Sequence, residues 1–160
     1  MDDLIDVGLS WLIRRTAWPA EGENWREVLE GTAWTVWGIL RDNPGLTLAA
    51  GNRLFVNDEL MVAFNELCLA LTRHGFSIGE ATLAADFVLD LTFDSMLTHD
   101  FLVAGTLGSD PGREPPRAWT ANLDPRVLEI ITDAAGDGHQ RWFAGKLGLA
   151  LDGIEHQRGA

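Results

Sequence analysis

Apolar residues recur at helical spacing from one end of the chain to the other, and nothing in it reads as strand. No stretch alternates with period two for more than a few residues, and β-branched residues never cluster. Gly and Pro fall mainly between the periodic segments. The pattern predicts an all-α fold, a helical bundle in which helices turn apolar stripes inward. A chain of 160 residues can bury roughly 70% of its unfolded surface, so residues 1–160 are read as a single domain.

Local signals divide the chain. A first helix is predicted from about Asp2 to Trp18, with acid at its start, Arg14 and Arg15 near its end, and Leu9, Leu12 and Ile13 on one face. Asn24, with Glu27 three residues on, opens a second helix that Asn43-Pro44-Gly45 stops. A short helical segment, Leu46 to Leu54, follows. Asn57 starts a third long helix through His74, and Gly75 suits its C-terminal cap. Ser77 and Glu80 have capping-box spacing and begin a helix to about Val103. Residues of about 105–118, rich in Pro and Gly, read as a flexible loop. Asp124-Pro125 begins a short helix to about Ala135, and a last helix covers His139 to about His156.

Charge narrows the function. The chain has 24 acidic and 12 basic residues, for a net charge of -12. Nucleic-acid affinity comes largely from phosphates neutralised by Lys and Arg. Here Lys146 is the one lysine, and the eleven arginines are scattered. Unaided DNA or RNA binding is therefore not expected, and anionic membranes are disfavoured for the same reason. No apolar run reaches membrane-spanning length. The acidic start lacks the basic charge of a signal peptide, and Cys68 has no second cysteine to pair with; both suit a cytoplasmic setting. No metal site or cofactor motif is read in the chain.

Two features suggest a pocket. The helix Ser77–Val103 is apolar on nearly every face, yet Asp86, Asp90 and Asp94 recur along it every four residues. Carboxylates in such a helix must be paired, hydrated or protonated. They read either as a polar strip in a pocket, with Asp90 and Asp94 as raised-pKa groups, or as a solvated groove paired with Arg53, Arg73 or Arg141. His99, on the same helix, could join them as an acid/base group or simply satisfy carbonyls at the helix end. The second feature is seven tryptophans beside no tyrosine. Trp34, Trp37, Phe55, Phe64, Phe87 and Trp119 are candidate walls for a small, largely apolar or polycyclic ligand, or are core.

Several segments together resemble a known family. Asn24-Trp25-Arg26-Glu27, the stop at Asn43-Pro44-Gly45, and Leu67, Leu71, His74-Gly75-Phe76-Ser77 and Glu80-Ala81 resemble the C-terminal domain of tetracycline-repressor (TetR-like) regulators. So does Asp137-Gly138-His139-Gln140-Arg141-Trp142-Phe143 through Leu151-Asp152-Gly153-Ile154. The resemblance implies a ligand-binding domain with a cavity among the helices Asn24–Asn43, Asn57–His74 and Ser77–Val103. It also implies a homodimer through a four-helix bundle made by Ser77–Val103 and His139–His156 of each copy.

Members of that family read DNA through an N-terminal helix-turn-helix, and these 160 residues hold no basic recognition helix. The expectation is a ligand-binding domain without the DNA-reading part, acting as a sensor, as a sequestering protein, or as heterodimer partner of a full-length regulator. The alternative is a cofactor-free biosynthetic enzyme, a cyclase, dehydratase or isomerase, using Asp90, Asp94 and His99 in the same pocket. In either case the chain alone should not retard duplex DNA in a low-salt gel; saturable, sequence-specific retardation would contradict the charge argument.

Overall fold

The computed structural model describes residues 2–18, 22–47, 57–107 and 123–159. All regular structure among them is helical: α1 (Asp2–Arg15), α2 (Trp25–Asp42), α3 (Asp58–Arg73), α4 (Ile78–Leu107), α5 (Pro125–Ala135) and α6 (His139–Gly159). Leu46 and Thr47 are also helical. The rest of the short helix read to Leu54 lies outside the described residues.

The starts follow the capping chemistry. Asn24 accepts from Glu27 N at 3.0 Å, while the Glu27 carboxylate reaches one residue past the cap, to Glu23 N at 2.9 Å. Ser77 and Glu80 form a reciprocal box: Ser77 N donates to Glu80 Oε2 at 2.7 Å and Glu80 N to Ser77 Oγ at 3.3 Å. Hydrogen bonding from the Ser77 hydroxyl, and then from Ser77 N, holds the Glu80 carboxyl below its ordinary range. Asn57 caps α3 at Leu60 N, and its amide donates to Ser10 Oγ at 3.1 Å, which ties α3 to α1.

Three ends differ from the sequence reading. α1 stops at Arg15, short of Trp18. There Thr16 Oγ1 turns back to Leu12 O at 2.8 Å and Trp18 Nε1 donates to Ile13 O at 3.1 Å, so side chains take carbonyls that a longer helix would have used. α4 runs through Leu107, so its helix takes in the first residues read as loop. The remainder of that loop lies outside the described residues. α6 continues to Gly159.

Two glycines are required by geometry. Gly75 has φ +88 between α3 and α4, where Phe76 N reaches back to Leu71 O at 3.3 Å. At Gly138, between α5 and α6, a Cβ would lie 2.8 Å from the backbone carbonyl oxygen of Asp133.

α4 is the centre of the bundle, packing on α2, α3, α5 and α6, while α1 packs on α3. The core joins Val28, Leu29, Ala33 and Val36 of α2 to Leu67 and Leu71 of α3 and to Ala81, Ala84, Ala85 and Val88 of α4. Phe143, Leu147, Leu151 and Ile154 complete it from α6. Outside the core, α6 is held to α2 by Arg26, which pairs with Asp152 at 2.6 Å and Glu155 at 3.3 Å. Arg158 lies 4.0 Å from the centre of the Phe76 ring and donates to His74 O at 3.0 Å. Among the described residues, no helix is long and apolar enough to cross a membrane.

The small residues of α4 make the packing sensitive to volume. Ala85 is fully buried and Leu83 is 63% exposed. Ala85→Leu should destabilise the protein by about 1–3 kcal/mol in urea unfolding. Leu83→Ala, two residues away, should stay within about 0.5 kcal/mol.

Candidate functional site

A cavity of about 950 Å³ lies among α1, α2, α3 and α4, and its wall is mostly apolar. Leu9, Leu12 and Ile13 of α1, Val36, Ile39 and Leu40 of α2, Leu60, Phe64 and Leu67 of α3, and Leu89 and Phe93 of α4 supply much of it. Met61 and Val62 on α3 and Ile78 and Leu83 on α4 also line it and are exposed, which marks the mouth between these two helices.

Neutral side-chain donors on the wall are satisfied within the chain. Thr32 Oγ1 donates to Val28 O at 2.8 Å, Thr82 Oγ1 to Ile78 O at 2.8 Å and Thr16 Oγ1 to Leu12 O at 2.8 Å. The Trp18 indole is fixed on Ile13 O, as noted above. The charged groups are Arg14, Glu59, Glu66, Asp86 and Asp90. Arg14 pairs with Glu59 at 3.1 Å. Partial desolvation, and then the charges of Asp86 and Asp94, push the Asp90 carboxyl above its ordinary range.

The site residues read from sequence separate. Phe64 and Asp90 line the cavity. Phe87 and Asp94 are exposed on α4 and are not part of the lining. Helix geometry explains the division: each step of four residues turns the stripe by about 40°, so Asp86 and Asp90 fall on the cavity face and Asp94 just beyond it. Trp34 and Trp37 also sit elsewhere. Val36 is on the wall, and Trp34, two residues before it, lies about 160° round α2. Phe55 and Trp119 lie outside the described residues, as does Arg53. Arg141 does not serve the carboxylate stripe; it pairs with Asp133 at 2.5 Å.

Trp34 and Trp37 instead build a second cluster with α6. Trp34 meets the Phe143 ring edge-on at 5.0 Å, and Trp37 stacks on Phe143 at 6.1 Å. Trp37 also lies 5.9 Å from His139. His99 stacks on His139, with ring centres 4.0 Å apart and planes within 7°. His139 is buried, and its Nε2–H donates to Ser95 O at 3.2 Å. Nearby, Thr47 Oγ1 donates to Asp100. His99 thus belongs to an aromatic stack, and it lies nine residues from Asp90, about 13.5 Å along the helix.

Several wall residues were not singled out as site residues in the sequence. Leu9, Leu12 and Ile13 were visible as one apolar face, a pattern shared by core and cavity wall. Trp18 and Thr32 carried no pocket signal of their own, whereas Asp86 was visible as the first member of the carboxylate stripe. His139 carries no site signal in the sequence, because its partner, His99, is distant along the chain. Cys68 is buried, and that burial raises its thiol pKa, which leaves it poorly suited to nucleophilic work. Among the described residues, no three His, Cys, Asp or Glu side chains converge as a metal would need. No family model matches the chain, and no curated protein matches it.

The histidine stack makes stability pH-dependent. Burial, and then the neighbouring His99 charge, lower the His139 pKa. The unfolded chain therefore takes up that proton first as pH falls. The stabilising contribution is complete above about pH 6.5 and is lost as pH drops below it. Urea unfolding at about pH 7.5 and about pH 5.5 should show wild type losing stability at the lower pH. His139→Phe keeps an aromatic ring but cannot titrate, and it should shrink that loss. An unchanged loss would remove His139 from the account.

Proposed function

We propose that this chain is a small-molecule-binding module of the TetR-like kind, acting as a ligand sensor or sequestering protein. The observation that carries the reading is the cavity: about 950 Å³, apolar, open at the α3–α4 mouth and bounded by four helices. Its size is within the range of pockets that enclose drug-sized ligands. The resemblance read in the sequence points to a cavity among three of the same helices, which supports the assignment. A cytoplasmic setting suits the proposal, since the lone thiol is buried and unpaired.

The enzyme alternative would need an acid and a base facing one volume. Of Asp90, Asp94 and His99, Asp90 alone is on the cavity wall. The geometry therefore separates the three groups on which that alternative rests.

Dimerisation belongs to the same proposal. Phe143, Leu147, Ala150, Leu151 and Ile154 of α6 are buried within the protomer, so they are not open to a second copy. Among the residues exposed on α6 are Trp142, Gly145, Leu149 and Gly153, three or four residues apart along one stripe, with open space around the glycines. On the adjoining α4, Phe87 is half exposed. Such a face suits helix-on-helix packing with a second copy, or with a full-length regulator of the same type.

The fluorescence of N-phenyl-1-naphthylamine, a neutral apolar dye, tests the cavity. Emission should rise on binding, and Ala63→Trp, which fills the wall, should weaken binding by about tenfold or more, a loss of ~1.4 kcal/mol. No saturable rise would overturn the reading. Light scattering should give twice 17.6 kDa, and Phe87→Glu with Leu149→Glu should yield monomers that still bind the dye.

A further inference from the structure

The charge on the cavity wall is one-sided. Glu59, Glu66, Asp86 and Asp90 line it, and Arg14 is the one basic residue among the lining. That guanidinium is already engaged by Glu59. Among the described residues, no ion pair is found for Glu66, Asp86 or Asp90. With every group ionised, the wall carries a net of three negative charges beside an apolar interior. Asp86 and Asp90 share one face of α4 an i, i+4 step apart, where like charges repel. Aromatic faces are present too, in Trp18, Phe64 and Phe93.

We propose that the cavity selects an organic cation: a molecule with an apolar, preferably aromatic body and one delocalised or substituted positive centre. This rests on the cavity being a ligand site, as argued above. The body fills the space between α1, α2 and α3, and the positive centre lies by Asp86 and Asp90 on the α4 side. Three physical terms act together there. The apolar surface is removed from water. The cation relieves the repulsion between the two carboxylates. The aromatic rings offer their electron-rich faces to the charge. A strongly hydrated inorganic cation has no apolar body to gain from this wall. An organic anion of the same shape meets net repulsion, since Arg14 is not free to receive it.

Tetraphenylphosphonium and tetraphenylborate have the same shape and opposite charge. They are compared as competitors of N-phenyl-1-naphthylamine in the wild-type protein. Tetraphenylphosphonium should displace the dye at a concentration at least about fivefold lower, the scale of one partly exposed ion pair. That preference should shrink as salt is added, because the charges stand at a solvated mouth. Asp86→Asn with Asp90→Asn should remove it. Glu30→Gln with Glu129→Gln removes as much charge from exposed positions away from the wall and should preserve it. Equal displacement by the two ions, or a preference that survives Asp86→Asn with Asp90→Asn, would overturn the proposal while leaving the cavity a ligand site. Absence of dye binding would overturn both.

Discussion

The bundle depends on how closely α4 can approach its neighbours. Ala81, Ala84 and Ala85 give that helix a nearly flat buried face, continued by Val88, and all four belong to the common core. Small side chains shorten the interaxial distance, so the larger groups on α2 and α3 can close around α4. Further along α4 the residues grow. Leu89 and Phe93 are only partly buried against the core and line the cavity. One helix therefore supplies both part of the close-packed core and part of the cavity wall.

The same helix shows why stability and binding need not compete here. Its core face carries alanines and Val88, and the adjacent face carries Asp86 and Asp90 at the rim of the cavity. Charges at that rim keep access to water, so they escape most of the desolvation penalty a buried carboxylate would carry. The raised Asp90 pKa is the residue of that penalty. At the other end of the molecule, the His99–His139 stack and the Trp37–Phe143 stack bind α2, α4 and α6 into one aromatic cluster. The aromatic residues thus divide between two tasks, with Trp18, Phe64 and Phe93 on the cavity and Trp34, Trp37 and Phe143 in the cluster that joins α2 to α6.

The helices were legible because capping and periodicity are local. Ser77 with Glu80, Asn57, and Asp124 before Pro125 each mark a start within a residue or so. The α1 end differs from the periodicity because Trp18 uses its indole to satisfy Ile13 O, a contact that no periodicity reports. The site was legible only in part. A stripe of apolar residues records which face is buried and says nothing of whether that face meets a neighbour or a void. Trp34 and Trp37 looked like pocket wall for that reason, and the wall contributed by α1 looked like core. The carboxylate stripe was visible, but its drift of about 40° per step decides which members reach the cavity, and that needs the positions of the neighbouring helices.

The threonine bonds on the cavity wall have a consequence for selectivity. Thr16, Thr32 and Thr82 each give their hydroxyl proton to a carbonyl of their own helix, and Trp18 gives its indole proton to Ile13 O. The wall is thereby silenced as a source of neutral hydrogen bonds. A guest that carries a carbonyl or ether oxygen into the interior gives up its water without replacement, at a cost of about 1–3 kcal/mol per group. Discrimination then works by exclusion: the chamber rewards no particular pattern of acceptors and penalises all of them, and it passes any body whose inner end is plain hydrocarbon.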